Sequence, residues 1–224
     1  MKPLVILGAG GFGRECHDIV IALNQAKPQW DFLGFVDDQE PDAQRLARRG
    51  AKWLGVVDAV ADYAGSYFVV GVGEPDDRQR LAAAATEAGL LPATLVHPSA
   101  TIGVDVEIGH GSVVCSHSSI TTNVRIRDHV HVNLNCTVGH DAEVGAFCTI
   151  NPGATISGSV RLGTSTVVGT NAAVIQGLSV GAGAFIGAGA VVTRDVPRGV
   201  TVVGVPARPL RKERAAAHEL SPER

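Results

Sequence analysis

The chain has 224 residues, a formal net charge of −3 and only 4% aromatic side chains. That balance leaves no basic face for nucleic acid or anionic lipid, and no apolar run approaches the ~18 residues of a membrane span. Met1 to Leu7 lacks the charged start and long apolar stretch of a signal peptide. The four cysteines, Cys16, Cys115, Cys136 and Cys148, form no CxxC pair and read as buried thiols of a cytoplasmic protein.

Residues 1 to about 95 alternate strand and helix signals. Leu4-Val5-Ile6-Leu7 predicts a buried strand, followed by Gly8-Ala9-Gly10-Gly11-Phe12-Gly13 and a helical stretch to about Gln25. Asp31 to Val36 predicts a second strand, ending in Asp37-Asp38. Phe68 to Val72 predicts another, ending at Gly73, and Asp76 to Ala88 a helix rich in Ala, Leu and Arg. The alternation argues for a small Rossmann-like parallel α/β sheet. Its first loop matches G-x-G-x-x-G between strand and helix, where glycines let the backbone approach a pyrophosphate at the helix N-terminus. An acidic residue closing the second strand often holds a ribose hydroxyl. About four strands fit before the pattern changes, roughly half a full dinucleotide fold, which argues against NAD.

From Ile102 the pattern becomes a repeat. Every sixth position to Val192 is Ile, Val or Leu, sixteen in succession. Chance agreement is on the order of 1 in 10⁸. Glycine often follows the aliphatic, as at Gly103, Gly139 and Gly163, and a small residue stands two places before it, as at Ser112, Cys136 and Ala154. A period of six fits neither one helix face nor simple strand alternation. It fits a coil of flat sides, each a short strand and a turn, with the aliphatic and small residue pointing inward and Gly or Asn easing the turn. Three sides make an 18-residue coil, and no insertion interrupts it.

This pattern resembles the hexapeptide-repeat acyltransferases, and that resemblance implies a left-handed parallel β-helix and a homotrimer with active sites between neighbouring prisms. Together, the glycine loop, Gly34-Phe35-Val36-Asp37-Asp38, His97-Pro98-Ser99-Ala100 and Val203-Gly204-Val205-Pro206-Ala207-Arg208 resemble one subfamily. It is the sialic-acid O-acetyltransferase type, which includes the nucleotide-linked 4-amino-sugar N-acetyltransferases. The expected division is a nucleotide-sugar-binding domain over residues 1–95, the β-helix over 96–208 and a tail over 209–224.

The resemblance implies a general base at His140, with Asp141 in place of the family's usual Glu. It implies acceptor contacts at Asn133, nucleotide contacts at Gly10, Gly11, Phe12, Asp37, Asp38 and Gly73, and an acetyl-CoA track along Thr149, Thr170, Ala188 and Pro206. Counting in steps of 18 adds an independent point. The His140 column reads Val104, Thr122, His140, Gly158, Gln176, so Gly158 leaves a notch over the imidazole and offers an N–H to an oxyanion. The other prism histidines read as structural: His117 in a polar ladder, His129 and His131 at the surface or an interface. The expected reaction is acetyl transfer to the amine of a nucleotide-linked 4-amino-4-deoxy sugar, without an acyl-enzyme and without a metal. A sugar O-acetyltransferase is the alternative. A zinc enzyme of the γ-carbonic-anhydrase type lacks its HxxxxH pair, and a non-catalytic nucleotide-sugar-binding scaffold is the remaining reading.

Overall fold

The computed structural model describes residues 1–210; apart from Pro209 and Leu210, the expected tail lies outside them. The first part is a sheet of five parallel strands: β1 (Lys2–Leu7), β2 (Trp30–Val36), β3 (Trp53–Gly55), β4 (Tyr67–Val70) and β5 (Leu91–Pro92), in the order β3-β2-β1-β4-β5. Leu4 to Leu7 are all fully buried, the continuous apolar run of a strand covered on both faces. Helices α1 (Gly11–Ala26), α2 (Ala43–Ala47) and α3 (Pro75–Glu87) follow β1, β2 and β4. About four strands were expected and five form. β3 and β5 are three and two residues long, too short for any periodicity to announce. The order reverses at β1, which pairs with β2 on one side and β4 on the other. Such a switch point opens a crevice at the carboxyl ends of the strands, where the glycine loop leaves β1.

The glycines there divide into two kinds. A Cβ on Gly13 would lie 1.8 Å from the Gly8 carbonyl oxygen, and one on Gly71 would lie 2.4 Å from the Gly13 Cα. Backbone packing alone demands those two. Gly10, Gly11 and Gly73 have open space where a Cβ would go, and none has a left-handed φ. The fold does not require glycine at these three.

The second part is the parallel β-helix. All sixteen repeat aliphatics are the second residue of a two-residue strand, and each pairs with strands 18 residues away, as Ile120 does with Ile102 and Val138. All are buried except Ile102 and Ile108 at the open end of the prism. Each fully buried aliphatic contributes about 1.5–3 kcal/mol, so the stack is the core. The turns differ from expectation in one respect. The left-handed φ falls three residues after the aliphatic, at Asp105, His117, Asn123, Asp141 and six other non-glycine residues. The glycine directly after the aliphatic serves close stacking instead: a Cβ on Gly139 would meet the Gly158 nitrogen at 2.5 Å, and one on Gly163 the Ala182 nitrogen at 2.4 Å.

The three faces have different chemistry. The first (Thr101, Ser119, Thr137, Thr155, Ala173 and Val191 outward) is small and uncharged. The second carries a charge ladder, Glu107, Arg125, Glu143 and Arg161, with Arg125–Glu107 at 3.4 Å and Arg161–Glu143 at 3.6 Å. The third is covered over its first coils by the N-terminal domain, so that Val113, His131 and Thr149 are buried, while Phe185 further along the same face is exposed.

Candidate active site

His140 and Asp141 stand on the corner between the first and second faces, after strand Thr137–Val138 and before Glu143–Val144. His140 Nδ1 lies 2.7 Å from Asp141 Oδ2. An ionised carboxylate only accepts, so Nδ1 carries the proton and Nε2 keeps its lone pair. Asn123, one coil below, donates from Nδ2 to Asp141 Oδ1 at 3.1 Å. The hydrogen bond from His140, and then that from Asn123, hold the Asp141 carboxyl below its usual range. Asp141 therefore stays ionised and orients the ring. Asn123 was not singled out from sequence, although it sits 18 residues before Asp141 in the same column and both adopt left-handed φ.

The imidazole packs directly on Gly158. A Cβ there would lie 2.4 Å from Nε2 and 2.5 Å from Cε1. The notch expected above the ring is thus filled by the ring itself. The Gly158 N–H has no acceptor among the described residues. The thiols sit elsewhere: burial pushes Cys136 and Cys148 up to about 11, so neither is a thiolate near neutral pH. Among the described residues no three His, Cys, Asp or Glu side chains converge to hold a metal ion.

The residues expected along the acetyl-CoA track separate. Thr170, Ala188 and Pro206 repeat at 18-residue spacing on the corner between the third and first faces, with Thr170 and Ala188 exposed. Asn133 lies on the same corner and is buried. Thr149 does not belong to that column. It projects from the third face, is buried, and its hydroxyl donates to the Gly73 carbonyl at 2.8 Å and accepts from Arg78 Nη2 at 2.9 Å. That side chain is closed inside the domain seam, away from the exposed Thr170 and Ala188. Within one chain the corner bearing His140 and the corner bearing Thr170 are different edges of the prism.

At the nucleotide end, both oxygens of Asp37 are already engaged, Oδ2 by the Ala9 N–H at 2.7 Å and Oδ1 by the Gln39 N–H at 2.9 Å. Asp38 Oδ1 accepts from the Val57 N–H at 2.9 Å. These carboxylates shape the glycine loop and the strand ends, a role the sequence reading did not assign. They nevertheless line a cavity of about 320 Å³ with Gly8, Gln39, Asp77 and Arg80. Helix α1 begins at Gly11 with Gly10 as its cap and no side-chain cap bond, so its first N–H groups face outward beside two exposed glycines. That end of the helix is suited to an anion.

The seam itself takes up two of the prism histidines. His131 is fully buried, accepts from Arg78 Nη1 through Nδ1 at 3.0 Å and meets the Phe12 ring at 4.6 Å between centroids. His129 is buried and stacks on Phe147 at 4.9 Å. Neither lies at the surface, because the N-terminal domain covers this face. Arg78, which fixes the seam, was not anticipated; an arginine in a helix of mixed polarity carries no mark of its burial.

The PglD N-terminal domain family matches residues 3–85. The chain is 33% identical to the acetyltransferase domain of PglB from Neisseria gonorrhoeae, over 94% of this chain and 100% of that one, with a TM-score of 0.84. That domain has also been solved in complex with acetyl coenzyme A. PerB from Caulobacter crescentus, in complex with CoA and GDP-perosamine, is 29% identical over 94% of this chain and 98% of its own, with a TM-score of 0.82. GDP-perosamine N-acetyltransferase of Escherichia coli is 34% identical over 134 residues, and the match spans 58% of that protein's length. With a left-handed β-helix joined to a PglD-type N-terminal domain, the chain belongs to this family of sugar N-acetyltransferases.

Proposed function

We propose that the protein transfers the acetyl group of acetyl-CoA to the amine of a nucleotide-linked 4-amino-4-deoxy sugar, with His140 as general base. The observation that carries this reading is the His140–Asp141 pair, with Nδ1–H bound to the carboxylate and Nε2 held against Gly158. The neutral amine attacks the thioester carbonyl carbon. Nε2 takes a proton from the nitrogen as the C–N bond forms, and Asp141 stabilises the imidazolium. The free Gly158 N–H donates to the oxyanion. As the C–S bond breaks, the imidazolium returns the proton to the departing thiolate, leaving an amide, CoA thiol and neutral His140. The thiols in the prism are too basic to compete as nucleophiles. The Caulobacter relative has also been solved, with CoA and GDP-perosamine, in variants of a single histidine, in keeping with one histidine at the centre of the chemistry.

The N-terminal domain, residues 1–95, would hold the nucleotide. Gly10, Gly11 and Gly73, which the fold leaves free of any steric demand, would lie against its phosphates and ribose. Phe12, Asp37 and Asp38 would shape that site. The β-helix, residues 96–208, would hold acetyl-CoA along Thr170, Ala188 and Pro206, with Asn133 near the acceptor. Because those residues and His140 occupy different edges of one prism, the reading calls for a homotrimer. With the small, uncharged first face toward a three-fold axis, the His140 corner of one copy meets the Thr170 corner of the next. No helix among the described residues is long and apolar enough to cross a membrane; the proposed donor, acetyl-CoA, is the reason we place the reaction in the cytoplasm.

The test is acetyl-CoA turnover, read as thiol release, with UDP-, GDP- and dTDP-linked 4-amino sugars beside hydroxyl-bearing counterparts. His140→Ala should lower kcat by about 10³-fold with little change in KM. Near-normal turnover in that variant, or transfer only to hydroxyl acceptors, would sink the assignment.

A further inference from the structure

Arg78 is 0% exposed, and no carboxylate is among its hydrogen-bond partners. A buried guanidinium ordinarily pairs with an acid, because an unpaired charge is costly to desolvate. Here every acceptor is neutral. Nη1 donates to the carbonyls of Val72 and Gly73, both at 3.0 Å, and to His131 Nδ1 at 3.0 Å. Nη2 donates to the carbonyls of Phe147 at 2.6 Å and Cys148 at 3.2 Å, and to the Thr149 hydroxyl at 2.9 Å. Burial lowers its pKa to about 10, which leaves it charged at neutral pH.

The acceptors belong to two bodies. Val72 and Gly73 form the loop after β4 in the N-terminal domain, and the other four lie on the third face of the prism. The glycine loop joins the same cluster from two directions. Phe12 packs on the His131 ring, and a Cβ on Gly8 would touch Val72 Cγ2 at 2.8 Å. One guanidinium therefore ties the glycine loop, the Gly73 loop and the prism wall together. Apolar packing would hold such a seam as firmly but without fixed direction, whereas a planar fork with neutral acceptors on both sides sets an angle.

We infer that Arg78 is a positioning residue for the transfer reaction: it fixes the angle at which the nucleotide-holding domain presents its sugar to the imidazole. This rests on the proposed function, since it assumes that the nucleotide end is anchored in one domain and the chemistry occurs on the prism. Arg78 touches neither substrate. Its loss should leave the glycine-loop contacts and the acetyl-CoA groove in place, loosen the Gly73 loop, and uncouple the two domains.

The experiment compares full-length wild type with Arg78→Met and Arg78→Lys. GDP and acetyl-CoA affinities are measured by calorimetry, and kcat/KM is measured for GDP-linked 4-amino sugar and for the free amino sugar. In Arg78→Met, affinity for acetyl-CoA should stay within about twofold and affinity for GDP within about tenfold, since Gly73 is only one of the nucleotide contacts. Turnover of the GDP-linked sugar should fall about 100-fold, the effect of an ångström-scale misplacement. Turnover of the free sugar should not change. Arg78→Lys should recover only part of the loss, because one ammonium cannot fork to both sets of carbonyls. Hydrogen exchange gives a readout independent of turnover: amides near Gly73 and at residues 147–149 should lose protection while the rest of both domains keeps it. If wild type transfers no acetyl group, the functional reading fails, and exchange still decides whether Arg78 sets the seam. The inference is overturned if both variants handle the GDP-linked sugar within threefold of wild type. It is equally overturned if they unfold, or lose GDP affinity and free-sugar turnover together, since Arg78 would then be merely structural.

Discussion

Gly158→Ala adds one methyl above the proposed catalytic imidazole and changes little else. Gly158 does not adopt a left-handed φ, so alanine strains no backbone there. The new Cβ would sit 2.4 Å from His140 Nε2, 2.5 Å from Cε1 and 2.9 Å from Cδ2, where ordinary contact begins at 3.4 Å. The ring must therefore retreat by about 1 Å or swing away, and a displacement of that size costs about 100-fold in rate. Because the His140 side chain is half exposed, at 50%, it moves into solvent rather than into the core. Stability should change by under about 1 kcal/mol. Steady-state thiol release with saturating acetyl-CoA measures kcat and KM, and a thermal melt checks the fold. The expected outcome is a kcat lowered about 100-fold, a KM for the nucleotide sugar within about threefold, and a Tm within a few degrees of wild type. A kcat within threefold of wild type would refute the reasoning, because the ring would then act from a position other than the one it occupies against Gly158.

Two further expectations follow from the faces and the core. Thr155→Arg places a charge on the small, uncharged first face; sedimentation should show wild type at three times the 23.2 kDa chain mass and the variant at lower mass with transfer lost. A variant that remains trimeric and active would remove the first face from the axis. His17 is buried, stacks on Phe32 at 4.0 Å, and has its pKa lowered from 6.5 to about 4 by burial and then by Arg49. Between those values the unfolded chain binds a proton that the folded chain refuses. His17 therefore supports the fold above pH 6.5 and progressively loses that support toward pH 4, by at most about 3 kcal/mol. His17→Phe should fold as stably as wild type at pH 7, and its stability should fall less between pH 7 and 4.5 in urea titrations. An unchanged pH dependence would show that His17 is not the group responsible.

The prism was legible because its physics is periodic. An aliphatic every six residues has one way to bury its row, so the sixteen strands, the 18-residue coil and the His140–Gly158 stacking follow from counting alone. The same counting would have found Asn123 below Asp141. The first loop was legible as a turn, but not which of its glycines serve packing. Gly13 and Gly71 are far apart in sequence and meet only because β1 and β4 are neighbours. The open glycines, Gly10, Gly11 and Gly73, differ from them in nothing but the space around their Cα atoms.

What only the tertiary structure decided is where the two domains touch. His131 read as a surface or interface position, Thr149 as a coenzyme contact, and Arg78 carried no mark at all, since an outward side chain on a β-helix face or a helix carries no sign of what covers it. Docking the N-terminal sheet on the third face buried all three. It placed a charged guanidinium among neutral carbonyls. Local periodicity dictates the elements and their register because each residue's choice is settled by neighbours six and eighteen positions away. The seam joins residues about seventy positions apart, and no short-range pattern encodes that contact.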